Sequence, residues 1–308
     1  MKCRIINTTT VINVQITPVS TIESLTAVFL FKLSPYIAMA NRFYQPGQER
    51  AAGVDALFAA IAPRYDLIND LQSFGLHRRW KCRVLKLAAP QPGQAALDIC
   101  CGTGDIAFAL AAHGANVTGL DFSEAMLAVA ERRRAAKSTS VLNCRDALAS
   151  GTDQEGNLRH HQKSAPENQS VKFLRGDAQQ LPFPDSSFDI VTVGYGLRNL
   201  ASWETGVSEM ARVAKPGARI VSLDFGKPDN ALWRALYFSY LRVCVPLLGL
   251  VFCRNASAYA YILESLKHYP AQRGVADRMR ALGLVNVQIH NILGGAMSIN
   301  YGEKSKTR

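Results

Sequence analysis

The chain has 308 residues, 48% of them hydrophobic and 19% charged, with a formal net charge of +11. These are the proportions of a globular protein with a substantial core, in one large domain or two small ones. A basic excess suits nucleic acid, an anionic membrane face or an acidic substrate. However, the densest clusters, His77-Arg78-Arg79-Trp80-Lys81 and Arg132-Arg133-Arg134, lack the basic tail or interleaved aromatics of a nucleic-acid surface, so no nucleic-acid partner is expected.

Residues 1–38 are Thr- and Ile-rich, with Glu23 the one acid. The apolar stretch at 24–38 is broken by Lys32 and Pro35 and is too short to span a bilayer. Residues 1–48 are read as an extension outside the fold, disordered or dispensable, with Met39 a candidate start and a targeting segment the alternative. Helical spacing of apolar residues follows over 49–89, as in Val54-Leu57-Phe58-Ile61 and from Trp80 to Leu87.

A strand is predicted over 95–101, with its helix over 105–112 stopped by Gly114. A second strand spans 116–121, and Ser123 caps the next helix. The polar, turn-rich run at 138–170 reads as a surface insertion carrying His160-His161, which are read as loop residues and not as metal ligands. Strands follow at 171–175, 188–193 and 218–225, with a helix from Ser202 to Ala214 between the last two. This alternation predicts a parallel sheet with helices on both faces. The apolar run 230–252 is interrupted by Arg234, Arg242 and Pro246, against a transmembrane helix. Together with two shorter helices it makes 230–282 a lid or substrate wall, and a closing antiparallel hairpin ends the chain. Seven cysteines without a CxxC pair read as reduced thiols, and no metal is implied.

The most informative run is Leu97-Asp98-Ile99-Cys100-Cys101-Gly102-Thr103-Gly104-Asp105. A strand enters a tight glycine turn and a helix start, and the next strand ends in Asp121, placed to accept from both hydroxyls of a ribose. Gly102 and Gly104 allow positive φ and close approach of a ligand. Ala107 in the third glycine position leaves a dinucleotide open. Asp105 at the helix N-terminus repels a phosphate and suits a cation, which favours S-adenosylmethionine (SAM).

These residues, with Asp177-Ala178 and the following Leu181-Pro182-Phe183, carry a resemblance to class I SAM-dependent methyltransferases. More specific are Arg64-Tyr65-Asp66 with Asn69, Gly75 to Lys81, Gly196-Leu197-Arg198-Asn199 and the Ser257-to-Pro270 block. Over residues 49–304 the chain resembles the quinone C-methyltransferases of menaquinone and ubiquinone biosynthesis. The resemblance implies a Rossmann-like α/β domain with a mostly parallel seven-stranded sheet and an antiparallel C-terminal strand. It implies a SAM site at Asp98, Gly102, Thr103, Gly104, Asp121, Asp177, Ala178 and Gly194. Gly194 stands where many relatives carry a small hydroxyl residue.

The implied reaction moves a methyl group from SAM to a ring carbon of a reduced prenylated quinone. Menaquinone biosynthesis (demethylmenaquinol to menaquinol) is favoured over the ubiquinone precursor. Arg198 with Asn199 and Tyr65 are the candidate catalytic residues, and Tyr65, Asp66, Asn69, His77 and Arg198 the substrate side. Arg198 is expected to stabilise charge and not to act as a base. The apolar 230–252 segment and the basic balance imply a cytoplasmic enzyme that visits the inner face of the membrane. A homodimer is left open. The rivals are a class I methyltransferase of another small lipid and a non-catalytic SAM- or NAD-binding protein.

Overall fold

In the computed structural model the described residues are 48–136, 171–253 and 257–306. The N-terminal extension, apart from Gln48, and the polar insertion at 138–170 lie outside them. Three helices precede the sheet: α1 (Gln48–Ile61), α2 (Tyr65–Ser73) and α3 (Leu76–Ala88). Phe74 (φ 52°) and Gly75 (φ 75°) turn the chain sharply between α2 and α3. The core then alternates as β1 (Ala95–Ile99), α4 (Asp105–Ala112), β2 (Asn116–Asp121), α5 (Glu124–Ala135) and β3 (Val171–Arg175). It continues with β4 (Phe188–Gly194), α6 (Trp203–Val213) and β5 (Ala214–Phe225). Helices α7 (Ala231–Cys253), α8 (Ser257–His268) and α9 (Ala271–Ala281) lead to the strands β6 (Leu284–Ile292) and β7 (Met297–Lys304).

The strands form one seven-stranded sheet in the order β3-β2-β1-β4-β5-β7-β6. The first five are mutually parallel, and β7 runs antiparallel to both its neighbours. The chain reverses its direction of travel across the sheet between β1 and β4. The C-terminal ends of parallel strands at such a point open a crevice. Side chains alternate across the sheet as strand geometry requires. Leu97, Ile99, Val191 and Val193 enter one buried layer with α1, α6 and α7 to α9. Ala96, Ile190 and Val221 enter the other, against α3 and α4. Helix α4 is buried along Ile106 to Ala111, which explains why it is apolar on all sides.

Two elements differ from the sequence expectation. β5 begins at Ala214, four residues early: Ala214 pairs with Phe188, and the register then shifts over Lys215-Pro216-Gly217. An irregular pairing tolerates a proline that cannot donate to the ladder. Helix α7 continues through Pro246 for 23 residues. No helix among the described residues is long and apolar enough to cross a membrane. Cys100, Cys101 and Cys244 are free thiols. Cys82 is disulfide-bonded, against the expectation of reduced thiols throughout.

Asp105 fastens three helices. Its carboxylate accepts from Lys81 of α3 at 2.6 Å and from Arg133 of α5 at 2.7 Å. Arg133 also donates to the Thr103 carbonyl at 2.9 Å. Burial opposes ionisation of Asp105, but the two cations outweigh it and hold the carboxyl below the usual range. Arg133 is therefore a half-buried tie between α5 and the start of α4. The sign of its pH dependence follows: stability from a depressed carboxyl is present above the ordinary carboxylate pKa and lost as pH falls towards the folded value. Asp105→Asn strands two cations and lowers the unfolding free energy by about 3 kcal/mol at pH 7. In denaturant titrations the difference from the parent protein shrinks below about pH 4.

Candidate active site: an acidic cleft beside an apolar cavity

The loops after β1, β2, β3 and β4 meet at the crevice and line a cleft of about 100 Å³. Asp121, at the tip of β2, accepts from the Gly102 N–H at 2.8 Å through Oδ2 and from the Ser123 N–H at 2.9 Å through Oδ1. Each oxygen keeps a lone pair for a ligand hydroxyl. Burial raises the Asp121 carboxyl above its ordinary value. Gly102 holds φ 55° and Gly104 φ 87°. A Cβ at Gly104 would stand 2.9 Å from both the Phe108 and the Phe173 rings, so neither the backbone nor the space admits a larger residue.

Asp177, Ala178 and Gly194 also line the cleft, as do Asp55, Gln179, Tyr195 and Asn199. Three carboxylates, Asp55, Asp121 and Asp177, face it with no Lys, Arg or His among its lining residues. The cleft therefore favours a cationic ligand carrying hydroxyls and disfavours a phosphate. The charge preference read from Asp105 is present, but other residues carry it, because Asp105 is neutralised by Lys81 and Arg133. Ser123 opens α5 without a side-chain cap bond; Asp121 takes its N–H instead.

Three residues of the glycine loop sit behind the cleft. Asp98 is buried, accepts from the Thr192 hydroxyl at 2.7 Å, and is pushed up by burial to about 7. The Thr103 hydroxyl turns to Asp66, 2.9 Å away. Gly104 caps α4. None of the three is a lining residue. Asp66, expected on the substrate side, is occupied by Thr103 and Arg133 and lines neither space.

Beside the cleft, a cavity of about 660 Å³ opens between α1 to α3, α7 and α8. Its wall is mostly aliphatic and aromatic. Tyr65, Asn69, His77 and Arg198 line it. Burial raises the Tyr65 phenol, opposed by the charge of Lys81. Asn199 sits on the cleft side instead, its Nδ2 donating to the Tyr195 carbonyl at 3.0 Å. Arg198 donates to Asp224 Oδ1 at 2.7 Å and to the Tyr195 carbonyl at 2.7 Å, with its guanidinium 4.6 Å from the Phe225 ring centroid. Arg198 thus both pairs with a carboxylate to fix the loop after β4 and faces the cavity.

Phe58, Tyr65 and Tyr195 line both spaces. Tyr195 holds φ 62°, a costly conformation for a bulky residue, and its hydroxyl is buried without a hydrogen-bond partner among the described residues. Sequence reasoning passed over Tyr195, Asp55 and Asp224. Asp224 had a readable signal: it ends an apolar parallel strand, as Asp121 does. Asp55 had none, because only the fold lays α1 across the crevice.

Comparison with known proteins agrees with this architecture. A demethylmenaquinone methyltransferase of Desulfitobacterium hafniense is 36% identical over 263 residues, 84% of this chain and 93% of the relative. One from Bacillus licheniformis is 33% identical over 260 residues, 83% of this chain and 99% of the relative. A SAM-dependent methyltransferase from Thermotoga maritima shares the fold at a TM-score of 0.50 and 18% identity, covering 81% of this chain and 99% of its own. The ubiE/COQ5 methyltransferase family model matches residues 45–157 and 150–304. The chain belongs to the ubiE/COQ5 methyltransferase family.

Proposed function

We propose that this protein is a SAM-dependent C-methyltransferase of menaquinone biosynthesis that converts demethylmenaquinol to menaquinol. The observation that carries this reading is the junction of two unlike spaces. An acidic cleft meets an apolar cavity at Phe58, Tyr65 and Tyr195. The cleft fits a nucleoside with a cationic centre, and the cavity fits an aromatic ring with an isoprenoid tail. Burial of such a tail contributes about 0.8 kcal/mol per methylene.

SAM supplies an electrophilic methyl group on a sulfonium. Asp121 would hold the ribose hydroxyls, Asp177 and Ala178 the adenine edge, and Gly102 and Gly194 leave room for the methionine part. Asn199 Oδ1, buried and without a partner among the described residues, suits the ammonium. The protein's remaining tasks are to exclude water and to align the ring carbon with the methyl group. Arg198, held by Asp224 and kept cationic, lowers the cost of negative charge on a ring oxygen. That makes the ring carbon nucleophilic.

Entry of a lipid substrate is supported by the rim of the cavity. Phe74, Trp233, Leu236 and Leu293 line it and are 80%, 38%, 61% and 51% exposed. Large apolar side chains in such a cluster mark a contact surface, and the chain's +11 charge suits anionic headgroups. We read this rim as the side that meets the inner face of the membrane.

Three measurements test the reading. Purified protein given SAM and either reduced demethylmenaquinone or the polyprenyl methoxybenzoquinol precursor of ubiquinone is expected to methylate the naphthoquinol, with a mass gain of one methylene on the ring. Preference for the benzoquinol would move the assignment to the other branch of the family. Asp121→Asn weakens SAM binding by roughly tenfold or more in calorimetry, while NAD gives no thermal shift with either form. Vesicles containing anionic lipid retain the protein, and Leu236→Asp with Phe74→Asp releases it. Equal retention of the double variant contradicts the rim.

A further inference from the structure

Removal of a proton from the acceptor hydroxyl needs a base, and Arg198 is unsuited to that task. Its guanidinium is buried against Asp224, which raises its pKa further despite the burial. Tyr65 and Tyr195 are also pushed up by burial and stay protonated near neutrality. His77 is different. It lies on α3 in the cavity wall and is 3% exposed. Its Nε2 sits 2.8 Å from Asp70 Oδ1. Asp70 is in turn clamped by Arg78, through Nε at 2.9 Å and Nη2 at 2.7 Å.

That clamp dictates the tautomer. Arg78 and His77 keep the Asp70 carboxyl below its ordinary pKa, so it is an acceptor without a proton. The proton between the two side chains therefore belongs to His77 Nε2. In the neutral ring, Nδ1 is left with a bare lone pair, and it is buried with no hydrogen-bond partner among the described residues. A buried acceptor without a donor is unfavourable, and a ligand hydroxyl would satisfy it. The His77 pKa is lowered, mainly by burial and then by Lys81, against the opposing pull of Asp70 and Asp105. The ring is thus neutral at pH 7 and able to accept.

We propose that Asp70 and His77 form a dyad in which His77 Nδ1 takes the proton from the ring hydroxyl of the bound quinol, directly or through one water. The inference rests on the reading of the cavity as the quinol site. The O–H bond breaks, its electron pair stays on oxygen beside Arg198, and an N–H bond forms on the imidazole. As the ring carbon bonds to the methyl group, the methyl–sulfur bond breaks and leaves its electron pair on sulfur. The ring carbon then gives up its own hydrogen as a proton to solvent, and the imidazolium returns its proton to the ring oxygen. One proton leaves per turnover. Asp70 is a positioning residue, and His77 is the catalytic one.

The test uses the full chain with SAM and reduced demethylmenaquinone. Wild-type kcat rises with pH along an acid limb whose midpoint lies below about 6.5, the ordinary histidine value. In His77→Gln, kcat falls by about 10²- to 10⁴-fold, the acid limb disappears, and added imidazole restores part of the rate. SAM affinity stays within about threefold, since His77 is outside the cleft. Asp70→Asn can supply the wrong tautomer at a partly exposed position and lowers kcat by roughly tenfold or more without loss of SAM binding. The dyad is overturned if His77→Gln keeps the wild-type rate, or loses rate while the acid limb persists. Should His77→Gln fail to fold, an unchanged kcat in Asp70→Asn overturns it. Failure of the wild type to methylate the quinol would instead count against the functional reading on which the dyad rests.

Discussion

The buried ion pair between Arg198 and Asp224 is the constraint on which the site depends. It joins the loop after β4 to the tip of β5, two parallel strands that are neighbours in the sheet. The same guanidinium takes the Tyr195 carbonyl, and so does the Asn199 amide. Tyr195 is thereby held in a left-handed backbone conformation that it would not choose alone. Its ring lies 5.8 Å from Phe225, and its side chain closes both spaces at once. Removing one partner would leave an uncompensated buried charge, at about 3–5 kcal/mol, and would release the wall between cleft and cavity.

In the proposed function, that wall reconciles two requirements that oppose each other. A sulfonium nucleoside needs hydroxyl acceptors and negative charge, which Asp55, Asp121 and Asp177 provide. A prenylated ring needs an apolar container, which α1 to α3, α7 and α8 provide. The sheet makes most of the first, at the reversal between β1 and β4, and α1 adds Asp55 to it. The second exists because helices before and after the sheet close over one end of it. Tyr240 of α7 donates to the Gln72 carbonyl of α2 at 2.9 Å, and Trp233 to the Leu293 carbonyl at 2.9 Å. These bonds tie α7 to both flanks of the cavity.

Much of this was legible in the sequence, for identifiable reasons. Strand-helix alternation and the glycine loop depend on local rules, so β1, α4, β2 and the position of Asp121 follow from the residues themselves. The family motifs led to Tyr65, Asn69, His77 and Arg198, which do line the cavity. The structure differs from the sequence expectation where a long-range partner decides. Asp105 reads as a ligand-facing acid until Lys81, 24 positions earlier, and Arg133 are seen to neutralise it. Asp66 sits in a motif beside Tyr65 yet spends its carboxylate on Thr103 and Arg133. Asn199 neighbours Arg198 in sequence but points to the other space, because the short helical turn at Leu197–Asn199 sends adjacent side chains in different directions. No periodicity encodes such choices.

The central claim is that donor and acceptor meet at the wall made by Tyr65 and Tyr195. A crystal structure with S-adenosylhomocysteine and demethylmenaquinone tests it most directly. The account predicts the ribose on Asp121, the quinone ring against Tyr65, Tyr195 and Arg198, and the thioether sulfur in line with the unsubstituted ring carbon. A quinone ring outside the cavity, or a nucleoside outside the acidic cleft, would contradict it.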